Sequence, residues 1–220
     1  MGNTAMATTL FIQTATTSLT VSLPATAPMT RDEFQAFCQA NRNLRIEQTA
    51  TGGVVIMPPV FADTGNRNFN LAVQLGIWAK QDATGLGFDS STGFTLPNGA
   101  TRSPDAAWMK TEKWNALAAN DQASFAPICP DFVIELRSAA SDPLSGLKAT
   151  RSASDSLSEL KAKMQEYIDN GVLLGWLIDR KNRTVYIYRP DRAPQLLENC
   201  DRVNGDPELP GFRLSMAEIW

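Results

Sequence analysis

From Met29 onward the apolar positions of the chain switch between a spacing of three to four residues and a spacing of two, the periods of helix and strand. Thr30, followed three residues later by Glu33, forms a capping box that opens a short helix through Phe34, Phe37 and Cys38. Residues 44–48 and 54–57 predict the strands of a hairpin, turned at Gly52-Gly53 and stopped at Pro58-Pro59. A longer helix is expected over 66–81, with Leu71, Leu75 and Trp78 at helical spacing. Short strands follow at 86–89 and 93–96, joined to the next segment by a Pro97-Asn98-Gly99 turn. Residues 105–109 and 131–136 predict the central strands, with a helical stretch around Trp114 between them.

Residues 138–154 are poor in apolar side chains and predict a flexible loop. Ser156 with Glu159 caps a helix whose stripe is Leu157, Leu160, Met164, Tyr167 and Ile168, ended by Asn170-Gly171. A hairpin follows, from 174–179 to 184–188. This order is an α/β fold with a mixed sheet, and no internal repeat is visible. Residues 1–30 stand apart as a leader without charged side chains. The alternation of Leu19, Val21 and Leu23 suggests an edge strand there, or else a flexible segment, so one domain is expected over 31–220. The leader lacks the basic start and continuous apolar run of a secretory signal, and the chain has no apolar run of membrane-spanning length.

Composition narrows the chemistry. The 220 residues contain no histidine, which excludes histidine as general base, metal ligand or pH switch. Carboxylate, lysine, arginine, tyrosine and thiol chemistry remain, and carboxylates favour hard cations such as Mg2+ or Mn2+. With 20 Lys+Arg against 23 Asp+Glu, bulk charge draws the protein neither to nucleic acid nor to membrane, so any such contact is local. Cys38, Cys129 and Cys200 are far apart and lack CxxC spacing, the usage of reduced cytoplasmic thiols. A thiol nucleophile at Cys129 would have no histidine to activate it.

Three residues are candidates for chemistry. Glu135 lies inside an apolar strand, where a buried acid is costly unless a metal ion or a cation compensates it. Period two directs Arg137 to the same face, so an internal Glu135–Arg137 ion pair, or a strand end emerging into solvent, explains the acid equally well. Asp105 follows Pro104 at a strand entry, although a carboxylate there often serves only the local turn. Lys163 lies about 90° from the centre of its helix's apolar stripe and Lys161 sits on the other flank, positions that are more often solvated than functional.

Taken in order, these segments resemble the PD-(D/E)XK nuclease superfamily. More closely, 44–47, 54–59, 88–94, 102–105, 129–138 and 163–171 resemble the Uma family of restriction-endonuclease-like proteins. The resemblance implies a restriction-endonuclease-like core, a mixed central sheet flanked by helices with an N-terminal hairpin extension. It matches Asp105 to the family's motif aspartate, Glu135 to its glutamate, and Lys163 to a lysine that has moved onto the following helix. Arg137 stands where the classical motif has lysine, Thr64-Gly65 where relatives often carry histidine-glycine, and Glu47 matches a frequent family acid without an assigned role. Residues 142–148 look like an insertion.

The activity implied is a Mg2+-dependent endonuclease acting on DNA. Asp105, Glu135 and the Leu136 carbonyl would hold the ion, and Lys163 would orient water or stabilise developing charge. Arg102, Lys110, Lys113, Arg137, Lys148 and Arg151 are the basic residues near these segments, and a homodimer would pair two sites. The alternative is an inactive module that keeps the nuclease fold for binding DNA or protein.

Overall fold

A computed structural model describes residues 19–21, 29–57, 59–137 and 156–220. The expected loop 138–154, with Lys148 and Arg151, lies outside the described residues.

The first helix, α1 (Arg31–Ala40), starts at the expected capping box, with both reciprocal bonds between Thr30 and Glu33 formed. The hairpin β2 (Arg45–Gln48) and β3 (Val54–Met57) turns through Gly52, whose φ of 86° suits a residue without Cβ. Ile46 packs with Phe34, Val54 and Ile56 under α1, so the alternation of β2 sends Glu47 the other way. The leader contributes β1 (Leu19–Val21), antiparallel to β3. Two short strands, β5 (Phe94–Thr95) and β6 (Thr101–Arg102), extend the hairpin into a sheet ordered β1-β3-β2-β6-β5.

The central sheet has the order β11-β10-β9-β8-β7-β4, from β4 (Gly85–Asp89), β7 (Ala106–Lys110), β8 (Phe132–Arg137), β9 (Leu174–Asp179), β10 (Thr184–Tyr188) and β11 (Gln195–Glu198). It is mixed: β8 and β9 run parallel and the other pairs antiparallel. The parallel step needs a crossover, and α5 (Leu157–Asp169) lies on it, capped by Ser156.

Helix α2 (Ala62–Asp82) covers one face over Phe132, Ile134, Leu136 and Trp176, while α5 covers the other over Val133 and Leu177. Glu135 therefore points to the α5 face. Helix α2 begins four residues earlier than the apolar spacing indicates, because 62–65 holds no large apolar residue and is fixed instead by ion pairs of Asp63 with Arg67 and Arg180. The Trp114 stretch resolves into α3 (Thr111–Asn115) and α4 (Ala119–Gln122). Strands β11, β12 (Arg202–Asn204) and β13 (Arg213–Ser215) have no counterpart in the sequence reading. They are short and largely exposed, so no clear alternation marks them.

Candidate active site at the end of the central sheet

Antiparallel pairing of β7 with β8 stops at Ala106 opposite Ile134. The next inward donor, the Leu136 N–H, is left without a strand partner, and Asp105 Oδ2 accepts it at 2.8 Å. Pro104 removes a competing donor just before this point and fixes the chain's entry. The other oxygen, Oδ1, accepts from Asn68 Nδ2 of α2 at 3.2 Å and lies 3.9 Å from Arg45 Nη2 of β2. A strand residue directs its N–H and C=O to the same edge, so the Leu136 carbonyl faces the Asp105 side as well.

Glu135 is buried beneath α5. Its Oε1 accepts from Tyr167 OH at 3.0 Å and from Lys163 Nζ at 2.8 Å, and Oε2 accepts no hydrogen bond among the described residues. Lys163 and Tyr167 stand one turn apart on α5, so a single helix face supplies both donors. Glu135 is thus compensated by Lys163, while Arg137 pairs with Asp179 of β9 at 2.8 Å. Lys163 is drawn off the solvated flank and keeps only 14% of its side chain exposed.

A third carboxylate completes the group. Glu47 of β2, buried, receives Lys163 Nζ at 2.9 Å, Arg102 Nη1 at 3.2 Å and the Ser103 N–H at 2.9 Å. Arg102 also donates to Glu166 at 2.6 Å, tying β6 to α5. Sequence spacing cannot find Glu47, because it belongs to the second sheet and meets Lys163 only through the fold. Its single local signal is an acid next to the apolar Ile46 in a short strand.

Burial raises the pKa of Glu135 to about 7, opposed by Lys163 and reinforced by the charges of Asp105 and Glu47. Asp105 is raised too, by burial first, against Arg45, the Leu136 N–H and Lys163. For Glu47 burial works against ionisation but Lys163 and Arg102 outweigh it, and its pKa falls. Burial likewise opposes the charge on Lys163, yet Glu135 and Glu47 prevail and its pKa rises, so the ammonium is kept.

The donor set suits a hard divalent cation. Asp105, Glu135 and the Leu136 carbonyl offer oxygen, burial holds both acids above their usual range, and Asn68 Oδ1 beside Asp105 is buried with no partner among the described residues. Among the described residues no three acidic, cysteine or histidine side chains gather to hold an ion by themselves, so the main-chain carbonyl and water would complete the shell.

One other expectation meets the structure differently. Lys110 and Lys113 are near Asp105 in sequence but stand at the far end of β7, where Lys113 pairs with Asp131. Cys129 is a buried thiol whose pKa burial pushes up to about 12, which suits packing rather than attack on a substrate. Lys161 rests 4.2 Å over the Tyr186 ring, outside the site.

A mixed sheet with paired carboxylates and a helix-borne lysine at one end defines a protein of the restriction-endonuclease-like class. The chain belongs to the Uma2 family, described as "Putative restriction endonuclease", whose profile matches residues 31–217. None of the curated proteins matches the chain. Among solved structures it is similar to a "putative nuclease belonging to DUF820" from Anabaena variabilis ATCC 29413, with a TM-score of 0.64 and 18% identity over 87% of this chain and 97% of that one. At that identity the likeness speaks to the fold.

Proposed function

We propose that the protein is a Mg2+-dependent endonuclease that hydrolyses phosphodiester bonds in DNA, with Asp105, Glu135 and Lys163 as its catalytic residues. The observation carrying this reading is the contact of Lys163 Nζ with Glu135 on the strand whose next residue, Leu136, holds Asp105. Asp105, Glu135 and the Leu136 carbonyl would hold the ion, and Mn2+ would serve in its place. The chemistry such an ion supplies when bound is neutralisation of phosphate charge and a lowered pKa for the attacking water.

The ammonium of Lys163 has three donors, of which Glu47 and Glu135 take two. The third is left to orient water or to meet the charge developing on phosphate. Glu47 holds the amine beside Glu135, and the Tyr167 hydroxyl on Oε1 helps to fix the Glu135 rotamer, leaving Oε2 as the oxygen that would hold the ion. The proposed place of action is the cytoplasm; among the described residues no helix is long and apolar enough to cross a membrane. A homodimer would pair two sites for cutting both strands of a duplex.

The test is nicking and linearisation of supercoiled plasmid. Cutting with Mg2+, its loss on adding EDTA, and its loss in Asp105→Ala and in Glu135→Ala are expected. Cutting that survives both substitutions would place the active site elsewhere. DNA binding without cutting under Mg2+ or Mn2+ would make the protein an inactive module of the same fold.

A further inference from the structure

The outer face of α2 is the least expected surface of the molecule. The inner face buries Leu71, Leu75, Trp78 and Ala79, so the opposite side of an amphipathic helix should be polar. Instead Phe69, Val73 and Ile77 form one row at intervals of four residues, with 65%, 37% and 54% of their surface exposed. Phe61 and Val60 prolong the row past the helix start and are also exposed. Two phenylalanines of roughly 150–250 Å2 each, left mostly in water beside three aliphatic residues, reach the scale of a few hundred Å2 that marks an interaction surface rather than scattered apolar residues.

We propose that this row joins two copies of the chain through antiparallel packing of their α2 helices. The row is complementary to itself when reversed. A twofold axis at the level of Leu71 sets Phe69 against the partner's Val73, and Ile77 against the partner's Gly65. Gly65 can accept it: a methyl there would meet nothing nearer than Val60 at 3.8 Å. Gly76, on the same face, has nothing within 4 Å of its missing side chain, so the backbones can approach closely.

Charge agrees with this direction. Asp63 in the first turn of α2 is already balanced by Arg67 and Arg180, so this agreement rests on the helix axes and not on a new ion pair with Lys80. The helix dipoles then run head to tail, with the positive end of one at the negative end of the other. A parallel pair would stack Lys80 on its own copy and leave Gly65 facing glycine.

The pairing does not depend on catalysis, and its test reads mass. Light scattering after gel filtration of the full chain should give twice 24.0 kDa at micromolar concentration, and Phe69→Glu should return the single mass. The double variant Gly65→Cys/Ile77→Cys should form a covalent dimer on mild oxidation, reversed by reductant. Each single variant should not, because antiparallel offset separates identical positions by about 18 Å along the axis. A monomer at tens of micromolar, a dimer indifferent to Phe69→Glu, or cross-linking in the single variants would overturn the proposal.

Discussion

Glu47 and Lys163, 116 residues apart in sequence, meet at 2.9 Å, and the same Nζ lies 2.8 Å from Glu135. One ammonium thus holds together a strand of the small sheet, a strand of the central sheet and the helix between them. Removing it strands two buried acids, and breaking a buried pair from one side is costly. Lys163→Met should lower the unfolding free energy by about 3 kcal/mol in urea titration. An unchanged midpoint would mean that solvent, not lysine, balances these carboxylates.

Glu47→Gln leaves Glu135 and the ion site proposed there intact but frees the amine on one side. Misplacing a catalytic group by a fraction of its reach costs on the order of tenfold or more in rate. Under saturating DNA, kcat should fall at least tenfold with KM little changed. Loss confined to KM would assign Glu47 to substrate binding instead.

The raised pKa of Glu135, about 7 against 4.5 for the free side chain, makes the native state hold a proton that the unfolded chain has released. The stabilisation from this residue is therefore complete below about 4.5 and fades as pH rises through 7. Unsubstituted protein should lose stability relative to Glu135→Gln across that window. Metal binding needs the ionised form, so Mg2+ affinity should drop up to tenfold per pH unit below 7 and binding should release protons. Calorimetry in buffers of different ionisation heat measures this, and affinity flat between pH 5.5 and 7.5 would refute it.

Asp131 shares the period-two face of Glu135, yet it lies at the opposite end of β8 and accepts the Lys110 N–H and Lys113 Nζ, each at 2.9 Å. Asp131→Ala should cost roughly 1–3 kcal/mol by leaving these donors without their acceptor. Plasmid cutting per folded molecule should stay within twofold of the unsubstituted protein. A large loss of cutting would extend the site beyond the sheet end.

Gly85 of β4 faces Trp108 so closely that a Cβ would overlap the indole and the Met109 carbonyl. Backbone and a packed ring yield little, so Gly85→Ala should destabilise by roughly 1–3 kcal/mol or prevent folding. Thermal melting reads this, and an unchanged melting temperature would show that β4 can shift outward at the sheet edge.

Much of the fold is legible along the chain because it is written in local periods. The capping boxes at Thr30 and Ser156, the β2–β3 hairpin and the β9–β10 hairpin stand where hydrogen bonding and alternation place them. The start of α2 is not legible, since long-range ion pairs hold it, and neither are β11 to β13, which are stabilised by position rather than by a pattern of their own.

The sequence by itself determined that histidine chemistry is absent, that Asp105 opens a strand, that Glu135 lies inside another, apolar one, and that Lys163 rides the helix that follows. Tertiary structure alone decided which partners these residues have. Whether Glu135 would pair with Arg137 or with Lys163 depended on which helix covers its face of the sheet, and α5 brings Lys163 there while Asp179 takes Arg137. The part played by Glu47 was likewise decided only when two sheets met, because charge interactions act through space and the chain's local periods carry no record of distance between its segments.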